Sequence, residues 1–151
     1  MPLEEITHPS QQRTWADIDL DALRHNIRAF KEMAGPDVML MPAVKANAYG
    51  HGAAQIAKAA VEAGASRLGV ATCAEGEELR SAGITAPVQV IGACLPEEVE
   101  RAVEAGLTLS VHEMYVARLA RLAAVRLDRV VPLPLKIDTG MGRLGILPEN
   151  A

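Results

Sequence analysis

Three segments of this chain end on nearly the same string. Gly64, Gly83 and Gly106 close EAG, SAG and EAG, 19 and 23 residues apart. Each glycine follows an amphipathic stretch and precedes a short apolar run: AAQIAKAAVEAG before RLGVAT, AEGEELRSAG before VQVIGA, LPEEVERAVEAG before LTLSVH. Glycine in that place suits the left-handed residue that ends a helix. Regular alternation of helix and strand, with no hairpin signal, prescribes a parallel sheet covered by helices.

The pattern extends in both directions. TWADIDL reads as a short extended segment. DLDALRHNIRAFKEMAG repeats its apolar residues at Leu20, Leu23, Ile27 and Phe30, with Asp19 or Asp21 as cap and Gly35 as stop. VMLMPAVKA is apolar on both parities, which predicts a strand buried on both faces, its pairing broken locally by Pro42. A fourth helix after the repeats, roughly Glu113 to Val125, leads into VVPLPLKID, a fifth buried strand. Met33, Met39, Met41 and Met114 are expected in the core. Such a sheet is either open and doubly wound or a (β/α)8 TIM-type barrel, and short, even repeats favour the barrel. A complete barrel takes about 250 residues, so the expectation is a barrel truncated after about five βα units. Pro148 and Glu149 read as the first turn of the next helix. The expected division is a leader over 1–14 and a partial barrel over 15–151.

Composition narrows the partners. The 151 residues carry a net charge of -4, and half are apolar. No cluster of lysine and arginine interleaves with aromatics, which argues against a nucleic-acid surface. MPLEEITHPS lacks the apolar core of a signal peptide, and no run approaches membrane-spanning length, so the expectation is a cytoplasmic protein acting on a small molecule. Cys73 and Cys94 are widely spaced, each after an expected strand. They read as free thiols, and no zinc pattern or other metal site is expected.

Two stretches carry chemistry. In AVKANAYGHG, Lys45 follows an apolar strand and so sits near its C-terminal end, the face on which barrel enzymes keep their active sites. A desolvated lysine there can attack a carbonyl as a neutral amine; a lysine reaching out to solvent is the plainer reading. Tyr49, Gly50, His51 and Gly52 form the loop into the next helix, where a hydroxyl could hold a phosphate, or where the glycines simply supply bends. In KIDTGMGRLG, Gly140, Gly142 and Gly145 spell GxGxxG. This is no dinucleotide fingerprint, because it follows the fifth strand and no helix opens inside it. The glycines instead suit a loop that folds back and aims Arg143 at a carboxylate or an electron-rich oxygen, unless Arg143 pairs with Asp138 or a glutamate. Lys136, inside an apolar run, must be paired, with Asp138 for example, or neutral, or modified. Glu75, Glu77, Glu78 and Arg80 read as a solvated helix face and first turn. His8, His25 and His112 lack ligand spacing, and none of these residues is given a role.

TWADIDLDALRHNI, AVKANAYGHG and KIDTGMGRLG, in this order and at this separation, resemble alanine racemase, a family of pyridoxal 5'-phosphate enzymes that interconvert L- and D-alanine. The resemblance runs from Trp15 onward. The related barrel decarboxylases of basic amino acids share AVKAN but not, as a rule, YGHG. The resemblance implies a TIM-type barrel followed by a C-terminal β domain that has no counterpart here, a homodimer, and D-alanine supply for peptidoglycan. It assigns Lys45 to the covalent attachment of the cofactor and to proton transfer on the D-alanine side. Tyr49 corresponds to the tyrosine on the cofactor phosphate. Arg143 corresponds to the arginine beside the cofactor's phenolic oxygen and the substrate carboxylate, and Lys136 to a lysine that many members carbamylate.

The family's second base, a tyrosine from the other subunit, has no match, since Tyr115 lies in the fourth helical segment. The chain alone is therefore expected to be a poor racemase, with Trp15 and Ile18 left exposed. Two alternatives stand beside this reading. One is a pyridoxal-phosphate-binding or assembly module without catalysis that pairs its open sheet with another chain; the other is an amino-acid decarboxylase.

Overall fold

Asp19 starts the first helix by accepting from the backbone N–H groups of Asp21 and Ala22, both at 2.9 Å. The helix, α1 (Leu20–Ala34), ends at Gly35, whose φ of 90° lets its N–H turn back to the carbonyl of Lys31. In this computed structural model, which describes residues 14–151, the predicted alternation follows. A short helical turn α2 (Lys45–Tyr49) leads to α3 (Ala53–Glu62), β1 (Leu68–Val70), α4 (Cys73–Ser81), β2 (Val88–Val90), α5 (Val99–Glu104), β3 (Thr108–Leu109) and α6 (Met114–Arg126). The predicted leader lies outside the described residues, apart from Thr14. Gly64, Gly83 and Gly106 all have positive φ, as their helix-ending strings require.

The three strands pair in parallel in the order β1-β2-β3. Two further extended segments flank them, each through a single parallel ladder contact: Ala43 with Gly69 on one side, Val111 with Leu135 on the other. The five segments thus stand side by side in chain order. That order is the progression of a barrel and lacks the reversal of a doubly wound sheet. Proline shortens both flanking segments. Pro42 and Pro134 have no N–H to give, but their carbonyls accept from Gly69 and Val111, both at 2.9 Å.

The core lies between the strands and the helices. Leu68, Val70, Val88, Val90, Leu107 and Leu109 are at most 2% exposed and pack with Ala57, Leu79, Val103 and Ala120 from the helices. The other face of the central strands is polar. Arg67 donates to Gln89 at 3.0 Å, and Gln89 donates to Ser110 at 3.1 Å.

The outer segments depart from the expectation of strands buried on both faces. Val38, Met39 and Met41 are exposed, as are Leu135 and Val130, the last at 99%. Met33 and Met114 are exposed as well, so none of the four methionines expected in the core lies there. Apolar sequence marks these residues for burial, but those of the two flanking segments sit at the open edges of the five-segment sheet, while Met33 lies on α1 and Met114 opens α6. Trp15 and Ile18 are exposed as predicted. No helix among the described residues is long and apolar enough to cross a membrane.

Arg80 corrects a second expectation, because it is no solvated surface residue. Its guanidinium donates to the carbonyls of Ile84 and Ala86 at 2.7 and 2.8 Å, and to those of Ala105 and Gly106 at 3.0 and 3.1 Å. It thereby ties the end of α4 to the end of α5, and burial lowers its pKa. Hydrogen bonds to a charged donor are among the stronger ones, so Arg80→Leu is expected to cost about 2–4 kcal/mol in urea unfolding. Glu78→Gln, on the exposed side of the same helix, is expected to change stability by less than about 0.5 kcal/mol. An unchanged midpoint for Arg80→Leu would refute the staple.

Candidate active site

Lys45 leaves the sheet where the first extended segment ends. Val44, 1% exposed, donates its N–H to the carbonyl of Gly69 at 2.8 Å. Lys45 therefore emerges beside the C-terminal end of β1. The next four residues, Ala46, Asn47, Ala48 and Tyr49, all have φ between 51° and 55°, one left-handed helical turn. Each such residue costs about 1–2 kcal/mol relative to the right-handed form. A helical turn of either hand puts residues four apart on one side. The ring of Tyr49 accordingly lies 6.0 Å from the Lys45 Nζ. Lys45 is half-buried and Tyr49 exposed.

The turn is tied down at both ends. The Ala48 N–H reaches back to the carbonyl of Val44 at 2.9 Å, and Gly50, at φ 88°, bonds back to Ala46 and Asn47. The Asn47 side chain accepts from the Ala53 N–H at 2.8 Å, capping α3, and His51 Nδ1 lies 2.9 Å from the Ala48 carbonyl. The strongest tie comes from Glu75, a residue with no role assigned from the sequence. One carboxylate oxygen accepts from the Ala46 N–H at 2.8 Å; the other accepts from Ala71 at 2.7 Å and Thr72 at 3.3 Å. Glu75 is also the third residue of α4, capped by Thr72 in a reciprocal capping box. That TxxE string is visible in TCAE, but its second contact, to the residue after Lys45, has no sequence signal.

The second stretch folds back as its glycines predict. The Ile146 N–H donates to the Lys136 carbonyl at 2.9 Å, and the Asp138 N–H to the Ile146 carbonyl at 2.8 Å, closing the loop between them. At Gly145, with φ 125°, a β-carbon would stand 2.6 Å from the Asp138 nitrogen, so only glycine fits. The Asp138 carboxylate accepts from the N–H groups of Gly140 and Gly142 at 2.9 and 3.0 Å, and these bonds lower its pKa. Asp138 therefore holds the loop and pairs with neither Lys136 nor Arg143. Lys136 is half-buried and donates to the carbonyl of Ile91, just past β2, at 2.9 Å. Its charge thus meets a backbone carbonyl, where a carboxylate was one expectation. Arg143 is exposed, and its side chain makes no hydrogen bond or ion pair among the described residues.

The structure brings Lys45 and Tyr49 together and sets Lys136 over the same C-terminal strand ends. Arg143 stays on the loop after the fifth segment. The two cysteines also meet on this face, although the sequence reads them as separate.

If Glu75 holds the turn, Glu75→Ala should speed hydrogen exchange at the Ala46 and Ala71 amides by more than about tenfold. Exchange in the core of α6 should stay unchanged. For Asp138 the folded pKa lies below the ordinary 3.8. Its contribution is therefore complete above the ordinary carboxylate range and is lost as pH falls through the lower folded value. Protection of the Gly140 and Gly142 amides should thus persist at a pH where free carboxylates are already protonated, and Asp138→Ala should abolish it at every pH.

This geometry has relatives. The chain is 42% identical over 146 residues to an alanine racemase of Methanococcus maripaludis, covering 97% of this chain and 38% of that protein. It is 46% identical over 136 residues to one from Synechocystis, covering 89% and 37%. Among solved structures, alanine racemase from Clostridium difficile 630 superimposes with a TM-score of 0.87 at 37% identity, over 95% of this chain and 37% of that one. That of Streptomyces lavendulae gives 0.79 at 44% identity, over 88% and 35%. The chain thus spans little more than a third of these relatives. The family model described as alanine racemase, N-terminal domain, matches residues 18–151. With its parallel strands in barrel order, the chain belongs to the alanine racemase N-terminal domain family.

Proposed function

We propose that this chain is the lysine-bearing part of a pyridoxal 5'-phosphate-dependent alanine racemase, an isomerase that interconverts L- and D-alanine. The observation that carries the reading is the left-handed turn that sets the Lys45 amine and the Tyr49 phenol on one side, 6.0 Å apart from Nζ to ring centre. The donor set fits the cofactor: a primary amine can condense with its aldehyde, and a phenol can donate to its phosphate. A relative from Clostridium difficile is described in complex with cycloserine, and one from Bacillus anthracis with bound L-Ala-P. Both ligands support a site for a small amino-acid-like substrate.

When bound, the cofactor supplies an electron sink that makes the α hydrogen of alanine acidic. Lys45 would hold the cofactor through its amine and would move the proton at the α carbon of alanine on the D-alanine side. Tyr49 donates its hydroxyl to a phosphate oxygen. Arg143 offers its guanidinium to the substrate carboxylate. Carbamylation of Lys136 by carbon dioxide, with loss of two protons to solvent, would convert its cation to an anion able to hold Arg143; a native intact mass showing an unmodified Lys136 in cofactor-loaded protein would remove this assignment.

The opposite face of the substrate needs a second base. Tyr115, the only other tyrosine, stands at the start of α6 and is exposed, away from this role. The reading therefore includes a homodimer in which a second subunit supplies that base, a cytoplasmic setting, and D-alanine supply for peptidoglycan. The 151-residue chain alone is expected to racemise alanine far more slowly than complete relatives. The exposed apolar residues at both sheet edges also support the assembly reading, in which the chain pairs its open sheet with another polypeptide.

The test is to add pyridoxal phosphate, reduce with borohydride and map the labelled peptides. Stoichiometric label confined to Lys45, and lost in Lys45→Ala without transfer elsewhere, is the expected result. Label spread over surface lysines, or none, would overturn the assignment of Lys45.

A further inference from the structure

Cys73 and Cys94 are the only cysteines of the chain. Cys73 opens α4 just after β1, and Cys94 lies in the loop after β2. They are 0% and 4% exposed, and their sulfurs stand 3.2 Å apart. Glu98 lies close enough to make a third ligand for a metal ion. Two thiolates on one tetrahedral zinc stand about 3.8 Å apart, however. The Glu98 carboxylate, moreover, already accepts from the Leu95 N–H at 3.0 Å. At 3.2 Å the two sulfurs stand nearer together than two thiolate ligands of one zinc ion would.

We propose that Cys73 and Cys94 form an oxidisable dithiol that closes to an intramolecular disulfide, joining the start of α4 to the loop after β2 on the face that carries Lys45. The two thiols are in hydrogen-bond contact, and either can donate; the contact lowers the Cys94 pKa, and the same contact together with burial raises that of Cys73. Cys94, the less buried of the two sulfurs, is the one that reacts first with a two-electron oxidant of the peroxide class. Its thiolate attacks one peroxide oxygen, the O–O bond breaks, and the departing oxygen leaves as water after taking up a proton, giving a sulfenic acid. Cys73 then loses its proton and attacks the Cys94 sulfur. The S–S bond forms, the S–O bond breaks, and the oxygen leaves as a second water. Two thiols are oxidised by two electrons, and one peroxide becomes two waters. Closing from 3.2 Å to a bonded distance of about 2.05 Å needs only a small approach of the two loops.

The test treats the 151-residue chain with hydrogen peroxide, with and without a chelator, and again in urea. The expected result is loss of both free thiols, an intact mass lower by two hydrogens, and a Cys73–Cys94 peptide after digestion, all reversed by dithiothreitol. The native rate should exceed the rate in urea by more than about tenfold, because folding holds the sulfurs together. Cys73→Ser should stop at a sulfenic acid on Cys94 that dimedone traps, whereas Cys94→Ser should leave Cys73 unreactive. Oxygen added to either sulfur of the wild-type chain without a cross-link would overturn the proposal. So would disulfides only between chains, equal rates in urea, or oxidation that a chelator alone unlocks, which would mean a bound metal ion.

Discussion

The carboxylate of Glu75 holds the ends of two neighbouring strand segments by their backbones, Ala46 on one side and Ala71 with Thr72 on the other. Most of the site depends on that bridge. The residue after Lys45 begins a run of left-handed backbone that three non-glycine neighbours continue, and such a run does not persist without external ties. Glu75 supplies one tie from a charged acceptor, Val44 another from its carbonyl, and Asn47 passes the geometry on to α3. A carboxylate accepting from several N–H groups is a strong and directional restraint. Rigidity of this kind suits the role proposed for Lys45, which is to hold a cofactor and then transfer a proton at one defined atom.

The second feature of the molecule is its pair of open edges. Each central strand meets a neighbour on both sides, whereas the segment of Met39 meets one and that of Leu135 has, beyond β3, only the fold-back of its own loop at Ile146. Apolar side chains there stay in water, a source of association with other polypeptide surface. Chemistry and edges are close together: Lys45 leaves one edge segment, and Lys136 lies on the other, reaching across β3 to the carbonyl of Ile91. The two lysines thus bracket the strand ends on which a ligand would rest, and whatever completes the sheet also completes the enclosure around them.

Much of this was legible in the sequence. The helix-ending glycines, the Asp19 cap and the alternation of elements follow from local rules, and each is where those rules put it. So is the fold-back at Gly145, since a GxGxxG string after a fifth strand has few other uses. Burial at the edges was not legible, because an apolar run encodes the burial a residue would have with neighbours and not whether those neighbours are present. The left-handed turn was hidden too. Gly50 and Gly52 advertise positive φ, but Ala46, Ala48 and Tyr49 do not, and nothing in their composition distinguishes them from an ordinary loop. Arg80 and Glu75 escaped for a related reason: their partners are backbone atoms up to 29 residues away, and sequence patterns do not register such partners.

The placing of Lys45 beside Tyr49 depends on the hand of the turn between them. The direct measurement is an NMR experiment on the labelled chain, reading the intraresidue contact between amide and α protons at Ala46, Asn47, Ala48 and Tyr49. Four consecutive strong contacts, the mark of positive φ, are predicted, together with a contact between the Lys45 side chain and the Tyr49 ring. Weak contacts at these residues, as in a right-handed turn or an extended loop, would contradict the account, because Lys45 and Tyr49 would then not be held on one side by the backbone.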